Sequence, residues 1–298
     1  MTRFRARTAP VCLHTGVTPS DPVPDWRSYD SVAEPYARVR AIHHTLLARD
    51  LVALVAPAFR SRVLDVGAGT GIAARAALAA TGAEGTVVAV DPSIEMLRRI
   101  DERGRIPATV GRTPDLPFTG GTFDALVANL VIADVADYGS ALADMVRLVR
   151  PGGRLGVSAW GALGDAPAVD DELERAAYEV WSMAAAEVAD PDAVATGARE
   201  ALPWASWFAD PANVRSALGG AGLERVELTG RAYRYRLSHA DWLAAVGTSA
   251  KARFLRHTLG EDQWSRFGER VLSSLRTAVP DPIPCVDEAL LAVGNRPV

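Results

Sequence analysis

Residues 63–71 read VLDVGAGTG: an apolar run leads straight into three glycines within five positions, Gly67, Gly69 and Gly71. A short apolar run bounded by glycine reads as a buried strand. The glycines allow a tight turn and let backbone N–H groups come close to a ligand. Residues 72–80, rich in alanine, read as a helix ended by Gly82. This strand, turn and helix restrict the chain to an α/β fold, with the turn as its first candidate site.

The same alternation continues. Strands are expected over 62–66, 86–91, 108–111, 123–129 and 153–160. Helices are expected over 93–103 and over 140–149, the latter stopped by Pro151. Strands that are nearly all apolar, alternating with helices, imply a parallel sheet covered on both faces. Before this core, residues 1–25 carry four prolines and read as a flexible leader. Residues 26–60 read as a helical cap, with Ser31 and Glu34 at capping-box spacing. The core itself occupies 61–164, followed by a helical, aromatic insertion over 165–209 with a turn near Pro191. Residues 210–298 hold a crossover helix over 213–218, a strand over 223–237 broken at Gly230, helices over 239–259 and 261–279, and a strand over 287–296.

Composition narrows the function. Hydrophobic residues make up 49% and charged residues 23%, as in ordinary globular proteins, with a net charge of -4. No nucleic acid partner is expected, since phosphate binding needs a basic face. Arg231, Arg234 and Arg236 read as an edge strand or solvated face. Cys12 and Cys285 are too few for a disulfide framework. No apolar run reaches the ~18 residues of a membrane span, and the N-terminal arginines precede no apolar core of a signal peptide. The expectation is a cytoplasmic protein without membrane contact.

In an open parallel sheet, ligands bind beyond the C-terminal strand ends. Asp91 ends the second strand, 20 residues past Gly71, where a carboxylate can accept hydrogen bonds from both ribose hydroxyls. A dinucleotide fingerprint would need a glycine at Ile72. Asp65, just before the turn, would repel a pyrophosphate and suit a cationic group.

VLDVGAGTG, VVAVDPS with MLRR, DLPFTGGTFDALVANLVIADVAD and LVRPGGRLGVSAW stand in order along the chain. Together they resemble the successive motifs of class I S-adenosylmethionine-dependent methyltransferases of the small-molecule type. The resemblance spans about 26–165, with a weaker echo over 210–298. It implies a Rossmann-like seven-stranded, mostly parallel sheet with an antiparallel last strand, helices on both faces and a helical lid. It also implies S-adenosyl-L-methionine as cofactor and S-adenosyl-L-homocysteine as product. Asp65, Gly67 and Gly69, with Ala68 and Gly71 in the same turn, fall around the amino acid part of the cofactor. Asp91 falls at the ribose, Pro92 and Met96 flank the adenine, and Thr113 meets its edge. Asn129, followed by Leu130, faces the methionine part, while Tyr29 and Tyr36 close over the cofactor. Arg112 stands where relatives often carry an acid; it stacks on adenine or points outward.

Methyl transfer from a sulfonium is an in-line displacement, and a phenol or carbon acid gains from a general base. Asp134 is one candidate, against a reading as a helix cap; His43 and His44 are the others, against a structural reading. Trp160, Trp204, Trp207 and Phe208 read as pocket walls or as ordinary core. The leading expectation is methyl transfer to a small, fairly apolar acceptor by a monomer or homodimer. Alanine and arginine richness points to a GC-rich bacterial genome and specialised metabolism. An RNA or protein methyltransferase, and a cofactor-binding protein that transfers no methyl, remain as alternatives.

Overall fold

The computed structural model describes residues 25–100, 105–161 and 172–298. The leader expected over 1–25 lies outside the described residues, apart from Asp25. The strands are β1 Arg62–Val66, β2 Thr86–Asp91, β3 Ala108–Val110, β4 Phe123–Ala128, β5 Val149–Trp160, β6 Glu224–Leu237 and β7 Ile283–Asn295. They form one sheet in the order β3-β2-β1-β4-β5-β7-β6. All neighbours pair in parallel except β7, which runs antiparallel to both β5 and β6.

The helices are α1 Ala33–Pro35, α2 Ala41–Val55, α3 Ile72–Thr81, α4 Ile94–Leu97, α5 Tyr138–Leu148, α6 Glu172–Ala186, α7 Pro191–Ala201, α8 Ala205–Phe208, α9 Pro211–Gly220, α10 His239–Val246, α11 Ala250–Leu259 and α12 Glu261–Ala278. Side chains alternate across a strand, so the sheet feeds two cores. Val63, Val87 and Val127 meet Leu47, Leu51, Ala73 and Ala77 of α2 and α3 on one face. Leu64, Val90 and Leu126 meet Leu142, Met145 and Leu218 of α5 and α9 on the other.

Several expected boundaries move. The chain is already extended at Val149, and a register shift between Phe123 and Ala125 absorbs the proline-glycine stretch as a bulge. Gly230 does not break β6, because it pairs with Leu290 inside the ladder. The helix expected over 239–259 is two helices, divided where α10 ends at Gly247 and the Ser249 side chain caps α11. Ser31 forms no capping box; it sits in a 3-10 turn without a side-chain cap, and Glu34 pairs with Arg38 instead. Arg231, Arg234 and Arg236 are exposed on β6, the edge strand.

The insertion after β5 shares its core with a second insertion. Trp181 of α6 and Val194 of α7 share a third core with Trp242 of α10, Leu255 of α11, and Phe267, Val271 and Leu275 of α12. That last trio recurs every four residues, the spacing of one helical face. Two insertions thus fold as one cap, rooted on the ends of β6 and β7 through Leu237, Ile283 and Cys285. Beyond Gly161, whose amide donates to the Glu288 carbonyl, β7 pairs among the described residues with β6 alone, so the two form a projecting ribbon. No helix among the described residues is long and apolar enough to cross a membrane.

Phe267 is fully buried, its ring stacked on Trp264 at 5.3 Å and edge-on to Trp181 at 5.8 Å. Phe267→Ala is expected to destabilise the protein by about 3–5 kcal/mol, the usual cost of emptying an aromatic core site. Urea denaturation followed by fluorescence and circular dichroism measures the loss.

Candidate functional site

The turn after β1 is shaped by steric limits. Gly67 has a φ of +65°, and a Cβ there would stand 2.4 Å from a Val131 methyl. Gly69 has a φ of +53° and open space on that side. The first glycine allows the loop after β4 to close against the turn; the second leaves the turn open to a ligand. Tyr36, Asp65, Gly67, Ala68, Gly69, Thr70, Ile72, Ala73 and Asn129 line the resulting pocket.

Asp91 holds the turn in place. Its Oδ2 accepts from the Gly69 amide at 2.8 Å, and its Oδ1 from the Ser93 amide at 2.7 Å. A carboxylate offers about four lone-pair sites, so each oxygen keeps capacity for a further donor. Burial raises the Asp91 pKa, against the pull of the two amides.

Asp65 is fully buried, and among the described residues neither of its oxygens makes a well-formed hydrogen bond, the Ala74 amide reaching it only weakly. Burial pushes its carboxyl up to about 8; the Ala74 amide and the Arg75 charge pull the other way without offsetting it. The Thr70 hydroxyl in the same pocket is also buried and unpartnered. Three under-satisfied polar atoms in one cavity fit a polar, cationic ligand group.

A second cluster adjoins the pocket. The Tyr29 hydroxyl donates to Asp134 Oδ2 at 3.2 Å, and the Tyr29 ring meets the Tyr36 ring edge-on at 6.0 Å. Burial pushes Asp134 up to about 7, against the Arg253 charge and the Tyr29 hydrogen bond. A carboxyl near neutrality suits proton exchange. Asp134 does not cap the next helix; Asp137 does, accepting from the Ser140 amide.

The other two candidate bases separate from it. Adjacent helical residues point about 100° apart. The His43 ring stacks on Tyr235 at 4.2 Å and is not among the pocket-lining residues. His44 is buried, its Nδ1 lies 3.3 Å from the Tyr36 hydroxyl, and burial followed by the Arg40 and His43 charges holds its pKa down to about 3. An imidazole so weakly basic is a poor proton acceptor at neutral pH; it orients Tyr36. Trp160, 38% exposed, lies 5.2 Å from the His44 ring.

The remaining aromatics pack around Tyr138 of α5. Phe208 is fully buried, and Trp204, Trp207 and Phe208 surround the Tyr138 ring within 4.7 to 5.2 Å. None of the three lines the glycine pocket. They are apolar enough to serve as walls, and burial against α5 claims them first. Arg112 is exposed, whereas Thr113 is buried with its hydroxyl on the Ala141 carbonyl at 3.3 Å. Met96 is buried and Pro92 exposed beside Asp91. Asn129 Oδ1 accepts from Ser158 Oγ, which accepts in turn from the Leu130 amide, each at 2.9 Å. Gly71 lies just outside the lining, its amide bonded to the Ala68 carbonyl.

Three site residues carried little or no sequence signal. Thr70 lies between flagged glycines and was readable from its position. Asp30 accepts from the Ser93 hydroxyl, tying the N-terminal segment to α4. Arg253 arrives from α11 and covers the Tyr29 ring, its guanidinium carbon 4.0 Å from the ring centre.

A model described as a methyltransferase domain matches residues 64–157. Demethylmenaquinone methyltransferase of Mycolicibacterium gilvum (strain PYR-GCK) is 34% identical over 48% of this chain and 61% of its own length. The chain spans about half, 52%, of the Clavibacter sepedonicus enzyme of that name, at 35% identity. It spans 75% of the Mycolicibacterium paratuberculosis one, at 32% identity over 60% of this chain. Among solved structures, the YcgJ protein of Bacillus subtilis superposes with a TM-score of 0.51 at 18% identity, over 85% of this chain and 99% of that one. Haemonchus contortus phosphoethanolamine N-methyltransferase 2, in complex with phosphomonomethylethanolamine and S-adenosylhomocysteine, gives 0.52 at 13% identity over 93% of this chain and 61% of that one. Those two likenesses speak for the fold alone. The matched span covers the glycine turn, Asp91 and β4, and with relatives above 30% identity over most of their length, the chain belongs to the class I S-adenosylmethionine-dependent methyltransferases.

Proposed function

We propose that the protein transfers a methyl group from S-adenosylmethionine to a small, fairly apolar acceptor by in-line displacement, in bacterial specialised metabolism. Asp65 carries this reading. A carboxyl fully buried without a well-formed hydrogen bond at the floor of a glycine turn suits a cationic amino acid group and repels a pyrophosphate. Bound there, the cofactor supplies a methyl carbon open to attack by an acceptor's electron pair, the carbon–sulfur pair staying on sulfur.

The chain's own residues do the rest. Asp91 offers its spare lone pairs to the ribose, and the Gly67 to Gly69 backbone admits the amino acid part. Met96 and Thr113 bound the adenine, while Arg112 is exposed. Tyr36 lines the pocket and Tyr29 packs against it, so both exclude water from the reactants. Asp134 takes the acceptor's proton. The curated relatives are named for demethylmenaquinone, a small molecule, which supports a small acceptor over RNA or protein.

The deciding experiment incubates the protein with methyl-labelled S-adenosylmethionine and an extract of the source cells, then separates the products by size. Label is expected in the small-molecule fraction. Label in RNA or protein overturns the reading, and so does the absence of label when S-adenosylhomocysteine binds.

Asp65 gives a second test. Its carboxyl titrates at about 8 when folded, against 3.8 as the reference. The raised value means that ionisation penalises the folded state: the contribution to stability is full below about pH 4 and is lost as pH rises toward about 8. Thermal scans of the ligand-free protein should show Tm falling across that window. Asp65→Asn is expected to flatten the fall and to weaken S-adenosylhomocysteine binding about tenfold or more, the scale of one lost charge-assisted contact. Saturating S-adenosylhomocysteine should flatten it in the parent, since an ammonium beside Asp65 favours the anion.

A further inference from the structure

Arg253 belongs to the cap, yet only 3% of it is exposed. Arginines are almost never buried this deeply unless paired. Among the described residues no carboxylate lies within ion-pair distance of it. Its Nη1 donates to the Thr248 carbonyl at 3.0 Å, and its Nε has no partner at all. A guanidinium carries five donors in a fixed fork; the Tyr29 hydroxyl also draws on this one, and its Nε stays unused.

What it faces defines the use. Its flat side covers the Tyr29 ring at 4.0 Å. The Tyr29 hydroxyl leads to Asp134, and the Tyr29 ring leads to Tyr36 at the edge of the glycine pocket. A cation from α11, an acid from the loop after β4 and two phenol rings from the N-terminal segment therefore converge beside that pocket, with the Asp91 charge of β2 also acting on Asp134. The Asp134 charge reaches this cation, yet its Nε stays unbonded among the described residues, and a ligand that brings an anion can satisfy it.

We propose that the acceptor is an acidic hydroxyl compound, a phenol or an enol, whose oxygen Arg253 holds as an oxyanion while Asp134 receives its proton. This rests on the methyl-transfer reading above. The acceptor O–H bond breaks, its electron pair stays on oxygen, and the proton moves to a carboxylate oxygen of Asp134. The retained pair, on oxygen or on a conjugated carbon, is the nucleophile. A carboxylate or phosphate acceptor fits less well: it has no proton to give at neutral pH, and Asp134 would repel it. A carboxyl poised near 7 can take a proton from an acidic hydroxyl and later release it. The rings of Tyr29, Tyr36 and Trp160 supply flat apolar surface for a conjugated acceptor.

The test uses a coloured nitrophenol, whose phenolate absorbs in the visible, added to the full protein saturated with S-adenosylhomocysteine. At a pH near the probe's own pKa, the bound phenolate-to-phenol ratio is expected to rise about tenfold or more, the effect of one nearby cation. Arg253→Met is expected to abolish the rise while binding S-adenosylhomocysteine as the parent does; Arg253→Lys, which keeps the charge, is expected to restore part of it. A probe that fails to bind, binds with its ratio unchanged, or shows the same rise with Arg253→Met overturns the proposal. Failure of S-adenosylhomocysteine to bind the parent would instead overturn the cofactor reading. Far-ultraviolet circular dichroism of both variants separates a lost charge from a lost fold.

Discussion

The carboxylate of Asp91 holds the site together. One oxygen takes the amide of Gly69, the other the amide of Ser93. It thereby links the turn after β1 to the start of α4. Ser93 caps α4 through the Met96 amide and donates its hydroxyl to Asp30. Asp30 is followed closely by the chain that carries Tyr36 and preceded directly by Tyr29, so the same network sets the aromatic cover over the pocket. Removing Asp91 would release the turn, the cap of a helix and the cover together.

Around that frame stand three ionisable groups, Asp65 and Arg253 buried and Asp134 half-buried. Asp65 and Asp134 are carboxyls raised by burial, and Arg253 is a cation with its Nε unspent. Asp65 lines the glycine pocket, and Asp134 and Arg253 connect to it through Tyr29 and Tyr36. In a dry site, fixed charges act more strongly than they would in water. Stability is thus lowered in the ligand-free protein at the positions where binding can recover it.

The core was legible from sequence because parallel strands buried on both faces are written as unbroken apolar runs; β1, β2 and β4 fall within a residue of where the pattern puts them. Asp65 and Asp91 were legible because a carboxylate beside a glycine turn has few structural uses. Asp134 was visible only as an ambiguity between base and cap, and the cap belongs to Asp137 instead. His43 and His44 could not be told apart by type; their separation comes from helical geometry. Trp204, Trp207 and Phe208 read equally as wall or core, because an aromatic on an inserted helix serves either use; in the fold they gather on Tyr138. Arg253 left no trace, since its approach to Tyr29 depends on how two distant insertions fold against each other. The break expected at Gly230 failed because a ladder of paired neighbours tolerates one glycine.

The ribbon formed by β6 and β7 past the end of β5 places the two halves of the chemistry on different supports. The cofactor turn belongs to the parallel strands; the cap, and Arg253 with it, hangs from the overhanging pair. Such an arrangement lets descent with modification act on one half alone. Changes in cap length or in the residues of α11 reshape what the enzyme recognises, while the strands that grip the cofactor stay unaltered. A lineage built on this plan can diversify its chemistry of recognition without reinventing its reagent.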